Sequence, residues 1–211
     1  MKSLYSLILN DEVIKRIDAV ADASGTNRSN LINRILAEYV SYTTSEMRIQ
    51  GILSQISDYL SKTEMVLLGE INGTNSLQMK TSLDYKYHPT VRYCVDLFRQ
   101  SKESIGQFKV LFRINSQELL YNITRFFDLY ISVEQKYIKQ KVTYTLSPGK
   151  FIREFIIHDS DATSYNDIAR AISDYMKNFD SILKKFLSGK YVSVSQMEND
   201  YKIYLSKSIL I

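Results

Sequence analysis

The first 42 residues carry a pattern that few folds accommodate. Residues 3–9, Ser-Leu-Tyr-Ser-Leu-Ile-Leu, are predicted to form a short β-strand whose side chains alternate between two faces. Two runs of apolar residues with helical spacing follow, and a polar turn at residues 25–29 separates them. The first run is Val13, Ile14, Ile17, Val20 and Ala21, and the second is Leu31, Ile32, Ile35, Leu36, Tyr39 and Val40. Each helix spans about fourteen residues or fewer and is too short to be stable without packing.

The residues that flank these runs are typical helix starts and stops. Asn10 is a good N-cap, because its side chain can accept a hydrogen bond from a free amide of the first turn. Asp11 and Glu12 then place negative charge at the positive end of the helix dipole. Gly25 can adopt the left-handed conformation that ends a helix, and we expect Ser29 to cap the next one.

A unit of about 44 residues buries too little surface to be stable alone. The single cysteine of the chain, Cys94, lies outside this unit, so no disulfide can hold it together. The segment also contains no cluster of metal-ligand residues. Association is the remaining route, with the strand paired to its copy in a second chain. We therefore expect a homodimer as the smallest assembly and leave higher orders open.

The strand, helix, turn and helix of residues 1–44 together resemble the ribbon-helix-helix family of DNA-binding proteins, the Arc, MetJ and CopG type of repressor. The likeness is carried by residues 9–13 at the strand-to-helix junction and by residues 28–32 at the start of the second helix. It implies a two-stranded antiparallel ribbon, one strand from each subunit, in the major groove of double-stranded DNA.

The resemblance also implies roles for individual residues. Tyr5, Leu7 and Leu9 would face the core of the dimer. The candidates for base contacts on the outward face of the strand are Lys2, Leu4, Ser6 and Ile8. A phosphate would meet the N-terminus of the second helix, where free amides and the helix dipole favour an anion. The candidates for phosphate contacts there are Arg28, Ser29 and Asn30.

Two features of this segment bear on how it would act. Leu4 and Ile8 can touch a thymine methyl group but cannot make the bidentate hydrogen bonds that discriminate strongly between bases. Acidic and basic residues also balance over residues 1–44, although the whole chain has a net charge of +4. Since DNA affinity depends largely on neutralising phosphates, this balance also fits a unit that serves only to dimerise.

Residues 45–211 are long enough for a separate domain, and their patterns predict an α+β fold. We expect a helix from Ser45 to about Leu68, followed by an antiparallel meander at residues 77–87, 91–97 and 107–114. Further elements are predicted as a helix at 116–139, strands at 142–146 and 151–157, and helices at 164–187 and 195–206. The chain has no apolar run of membrane-spanning length and no signal-peptide pattern, so we expect a cytoplasmic protein without membrane contact.

Basic and aromatic residues interleave in the predicted meander. The residues concerned are Lys80, Tyr85, Lys86, Tyr87, Arg92 and Tyr93. One interpretation is a second basic face that grips DNA or an anionic effector such as a nucleotide. The other is the polar side of an antiparallel sheet that simply meets water, and alternation alone favours that interpretation.

Catalytic and metal-binding patterns are not evident in the sequence. His88, before Pro89, is expected in a turn, and Cys94 is expected to be a small buried side chain. The acidic residues at 159–167 could hold a hard cation, but helix-cap chemistry before Ser164 explains them more simply. We expect neither an enzyme, nor a metal, nor a cofactor.

The leading hypothesis is a prokaryotic transcriptional repressor, in which the dimer binds an operator and the body adds oligomerisation, effector sensing or partner binding. The alternative is a dimeric interaction protein of the plasmid-partition or toxin-neutralising class, in which the body carries the function. The Arg28–Ser29 junction favours the repressor, whereas the apolar Leu4 and Ile8 favour the alternative.

Overall fold

A computed structural model describes residues 4–69, 71, 74–99, 104–113, 116–156 and 164–211. The chain divides into two compact units, one that extends to Arg48 and one from Ile49 to Ile211. Helices and an antiparallel sheet are both present, so the predicted α+β class is confirmed. In the part of the chain that is described, no helix combines the length and the apolar character needed to span a bilayer.

The first unit contains α1 (Asp11–Ala23) and α2 (Arg28–Tyr39). The amide of Glu12 donates to the Asn10 side chain at 2.9 Å, as expected for the N-cap of α1. Gly25 follows α1 with a φ of 60°, the left-handed conformation predicted for it. Residues 4–10 belong to neither a helix nor a strand. A ribbon strand needs a second strand to complete its hydrogen-bond ladder, and the predicted strand at residues 3–9 would find that partner only in another chain.

The start of α2 corrects one prediction. Asn27, and not Ser29, is the N-cap, because its side chain accepts the amide hydrogen bond of Asn30 at 2.9 Å. An N-cap side chain reaches the amide two or three residues further on. Ser29 therefore lies inside the first turn of α2, where its own amide precedes the helical hydrogen-bond ladder.

The third helix, α3 (Ser45–Leu60), also differs from its prediction. Its first turn is capped by Thr44, whose hydroxyl accepts the amide hydrogen bond of Met47 at 3.2 Å. It ends at Leu60 and not near Leu68, because the amide and the hydroxyl of Thr63 both donate to the Leu60 carbonyl. The chain then enters the short strand β1 (Val66–Leu67).

Six antiparallel strands form one sheet in the order β1-β2-β3-β4-β6-β5. The remaining strands are β2 (Ser76–Ser82), β3 (Thr90–Leu97), β4 (Gly106–Phe112), β5 (Tyr144–Ser147) and β6 (Lys150–Phe155). The predicted meander is thus present, but its first strand does not continue to Tyr87. Tyr87 and His88 have φ values of 64° and 43° and form the turn before β3, a conformation that a strand does not accommodate.

Three long helices complete the second unit: α4 (Gln117–Tyr137), α5 (Tyr165–Leu187) and α6 (Val194–Leu205). Their predicted positions are confirmed to within about two residues, the usual uncertainty of helix ends. Ser116 and Ser164 cap α4 and α5 through their side chains. Gly149, in the turn between β5 and β6, has a φ of 70°.

Side chains from one face of the sheet and from α3 to α6 form a single hydrophobic core. On β3, Val91, Tyr93, Val95 and Leu97 all point into it, which confirms the predicted alternation. Aromatic rings dominate its centre: Phe179 packs edge-on against Phe108, Phe126 and Tyr130. On the opposite face, which we call the open face, the described strand residues are mostly exposed or half-buried.

Candidate nucleic-acid interface

The segment before α1 presents two unequal sides. Leu4 and Ile8 are fully exposed, at 98% and 104%, whereas exposure falls along Tyr5, Leu7 and Leu9 from 82% to 62% to 36%. The second set is the one predicted to face a dimer core. Ser6 is exposed with Leu4 and Ile8, and Lys2 lies outside the described residues.

The apolar sides of α1 and α2 are also largely uncovered. Of the described residues in these two helices, Ala21, Leu31 and Ala37 alone are buried. The large apolar side chains left exposed are Val13, Val20, Ile35, Leu36, Tyr39 and Val40. An apolar surface of this extent on so small a unit marks an interaction site.

Arg28, a predicted phosphate contact, already has an anionic partner. Its Nε and Nη2 atoms donate to the two carboxylate oxygens of Asp18 at 2.7 and 2.5 Å. The hydrogen bond from Arg28 lowers the pKa of Asp18, and the same hydrogen bond raises the pKa of Arg28. The pair ties the start of α2 to α1. No spacing rule links residues ten positions apart in separate helices, so the role of Asp18 was not predicted.

The N-terminus of α2 keeps the other features expected of an anion site. The Asn27 side chain accepts a hydrogen bond from the amide of Asn30. The amides of Arg28 and Ser29 therefore remain as donors at the positive end of the helix dipole. Ser29 and Asn30 are both exposed. A phosphate could therefore reach main-chain donors here without displacing Asp18.

The structure brings together only two of the three cations predicted for the second basic face. Lys80 and Arg92 lie opposite each other on neighbouring strands of the open face. Lys86 lies in the turn before β3, 3.7 Å from Glu118. The three lysine and arginine side chains therefore do not form one cluster.

The aromatic residues of the same meander do not join the basic ones. Tyr93 is fully buried on the opposite face, where its hydroxyl donates to Asp180 at 2.8 Å. Burial raises the pKa of Tyr93, and burial also raises the pKa of Asp180. Tyr85 accepts a hydrogen bond from Asn122, and Tyr87 is in the turn. The structure does not bring these aromatic rings onto the face of Lys80 and Arg92: Tyr93 follows Arg92 in β3 and so points to the opposite side of the sheet, whereas Tyr85 and Tyr87 lie between β2 and β3.

A buried polar cluster in the second unit has a structural role. Glu134 and Arg153 are fully buried, with Arg153 Nη2 3.3 Å from Glu134 Oε1. The hydroxyls of Tyr144, Tyr175 and Tyr201 donate to the same carboxylate at 2.8, 3.5 and 3.1 Å. Burial by itself would lower the pKa of Arg153, but the Glu134 carboxylate outweighs it and the pKa is raised. The cluster joins β5, β6, α4, α5 and α6.

A surface groove of about 370 Å³ lies between α5 and α6. Its charged side chains pair mainly with one another. Lys185 Nζ is 2.7 Å from Asp200, and Lys177 Nζ is 3.8 Å from Asp174. An anionic effector, which the sequence leaves open for the body, would have to separate these pairs.

Other residues noted in the sequence have ordinary surroundings. Cys94 is buried in the middle of β3, as predicted, and burial raises the pKa of its thiol. His88 lies in the turn that was expected for it. The acidic residues at 159 and 161 fall outside the described residues.

Protein-family models, curated proteins and solved structures were each compared with the chain, and nothing matches it in any of the three.

Proposed function

We propose that the chain is a sequence-specific DNA-binding transcriptional regulator of the repressor type, acting as a ribbon-helix-helix homodimer. The observation that carries this proposal is the exposed, largely apolar segment at residues 4–9, directly before two capped helices whose apolar sides are also exposed. In a dimer, two copies of this segment pair as an antiparallel ribbon and complete each other's hydrogen-bond ladder. Tyr5, Leu7 and Leu9 then cover the helices.

The outward face of that ribbon enters the major groove of the operator. Lys2, Leu4, Ser6 and Ile8 are the side chains that reach base edges there. Ser6 supplies a hydrogen bond, whereas Leu4 and Ile8 recognise thymine methyl groups by contact. The amides at the start of α2, with Ser29 and Asn30, set the register on a phosphate.

The test is fluorescence anisotropy with duplex DNA from upstream of the chain's own gene and with scrambled DNA, at two salt concentrations. We expect a preference of about a thousandfold or more for the upstream DNA, as specific binders show. Ser6→Ala with Ile8→Ala should reduce this preference while light scattering still reports a dimer. The matched pair on the inward side, Tyr5→Ala with Leu7→Ala, should dissociate the dimer.

Should the outward pair dissociate the dimer instead, Ser6 and Ile8 belong to the subunit interface and the assigned strand faces are wrong. Weak, equal binding to both DNAs that vanishes at higher salt would contradict sequence-specific recognition.

A second function is favoured by specific observations. Residues 1–44 have no net charge, Arg28 is held by Asp18, and the outward strand face carries Leu4 and Ile8. In this alternative the first unit only dimerises, and the second unit carries a partition or toxin-neutralising role. Equal, salt-sensitive binding to both DNAs by an intact dimer supports it.

A further inference from the structure

Strand pairing brings three cations into one row on the open face of the sheet. Lys80 lies opposite Arg92, Arg92 opposite Leu111, and Leu111 opposite Lys150. Side chains paired in this way project from the same face, and neighbouring strands are about 4.8 Å apart, so the row covers about 14 Å. Lys150 is far from the other two in sequence and joins them because β6 pairs with β4.

The charges of this row are not neutralised within the described part of the chain. Lys80, Arg92 and Lys150 form no ion pair with any residue there. The acidic residues on the same face, Asp96 and Glu154, lie in a different row, where both are aligned with Gln107. Asp96 is already engaged by Lys109 at 2.5 Å.

A lysine directly opposite an arginine destabilises an antiparallel sheet, whereas an acidic residue at either position would stabilise it. Packing does not explain the pair, because Lys80 and Arg92 are both exposed. A partner that brings negative charge to this face removes the repulsion.

The distribution of charge along the chain also favours a negatively charged partner for this face. Residues 1–48 contain six basic and six acidic residues. The whole net charge of +4 therefore belongs to residues 49–211, the unit that contains the row.

We propose that the row formed by Lys80, Arg92 and Lys150 binds the phosphate backbone of double-stranded DNA without reading its sequence. Three cations in line can neutralise up to three phosphates. The residues that the strand pairings place on this face include no aromatic side chain on which an unpaired base could stack. That favours a duplex over a single strand. The contact does not depend on base recognition by the first unit.

The experiment measures how the affinity of the full chain for scrambled duplex DNA depends on salt. Lys80→Gln, Arg92→Gln and Lys150→Gln are combined in one variant. The matched control combines Lys139→Gln, Lys190→Gln and Lys207→Gln, which removes the same charge from exposed positions outside the sheet. Each phosphate contact contributes about 0.9 to the slope of log K against log salt concentration.

We expect the sheet variant to make that slope shallower by about two to three, and the control variant to leave it within about half a unit of the unchanged chain. Equal effects of the two variants, or no effect of either, overturn the proposal. Loss of binding to anionic lipid vesicles without any change toward DNA also overturns it, because the row then serves a membrane surface. Circular dichroism verifies that both variants are folded.

Lys80→Glu separates binding from stability. The new carboxylate lies opposite Arg92, so we expect a higher unfolding temperature together with weaker binding to scrambled DNA. A purely structural role for Lys80 predicts that binding stays unchanged.

This inference and the proposed function fail in different ways. The ratio of affinities for upstream and scrambled DNA tests the first unit, whereas the salt slope on scrambled DNA tests the row. A chain without sequence preference whose slope still depends on Lys80, Arg92 and Lys150 supports the row and contradicts the operator-binding proposal. A strong preference for upstream DNA, together with a salt slope that the sheet variant leaves unchanged, supports the operator-binding proposal and contradicts the row.

Discussion

The guanidinium of Arg28 makes two hydrogen bonds to Asp18, so a phosphate must displace a carboxylate before it reaches this side chain. The pair is about half exposed. Pairs of this kind contribute little to stability, and a highly charged polyanion can compete for the arginine. At the scale of single residues, Asp18 would therefore set how much Arg28 adds to the DNA affinity that we propose.

Asp18→Asn should strengthen binding to scrambled DNA by about three- to tenfold at low salt and steepen the salt slope by about one, because Arg28 becomes available to a phosphate. Asp22→Asn is the control, since it removes a charge from the same helix without freeing Arg28. Anisotropy titrations at several salt concentrations measure both. If the two variants behave alike, Arg28 is not a phosphate contact.

At the scale of elements, side-chain caps decide where the helices of this chain begin. Asn10, Ser116 and Ser164 cap the helices that the sequence predicts. Asn27, which caps α2 in place of the predicted Ser29, and Thr44, which caps α3, follow the same rule. Polar residues stand next to one another at both starts, and each of them can act as a cap.

Two glycine substitutions should have opposite effects. Gly25→Ala places a side chain on a residue with a φ of 60°, where the surroundings leave space but the backbone becomes strained, so we expect a loss of about 1 kcal/mol. Gly51→Ala, in the interior of α3 and also with space around it, should gain about 0.5–1 kcal/mol. Urea unfolding followed by circular dichroism measures both. If Gly51→Ala also lowered the free energy of unfolding, backbone conformation would not explain the effects of these two substitutions.

Over the whole molecule, the second unit depends on a charged pair inside its core. Glu134 is the common acceptor for Arg153 and for three tyrosine hydroxyls that come from separate elements. The Arg153 guanidinium also lies 4.7 Å from the centre of the Tyr175 ring and donates to the main-chain oxygen of Ile211. Removing one partner leaves a buried charge without compensation.

Glu134→Ala should cost about 3–5 kcal/mol of unfolding free energy, because Arg153 stays buried and charged. The double variant Glu134→Gln with Arg153→Met should cost clearly less, since glutamine keeps an acceptor for the tyrosines and no unpaired charge remains. Lys86→Ala, which breaks an exposed pair, should leave the urea midpoint nearly unchanged. Additive losses in the double variant would show that the two side chains act independently.

Local features of this protein follow from its sequence alone. Alternation on β3 and helical spacing in α4 to α6 were sufficient to place those elements, because the period of the apolar residues follows from the geometry of a strand or a helix. The start of α4 at Ser116 and the left-handed Gly25 were also predictable, because a cap and a left-handed turn residue depend on the residue itself and its neighbours in the chain. Within the candidate DNA interface, the sequence also separates Tyr5, Leu7 and Leu9 from the outward set, and that assignment stays a prediction.

Contacts between distant segments, in contrast, depend on how the whole chain folds. Arg153 interrupts an aromatic strand face and becomes a core residue only because Glu134 and the tyrosines converge on it. Lys150 joins Lys80 and Arg92 only because β6 pairs with β4. Asp18 meets Arg28 only when α1 and α2 pack together. Periodicity and capping involve neighbours in the chain, whereas these charge partnerships depend on which strands and helices become neighbours in space, and that is settled by the packing of the whole core.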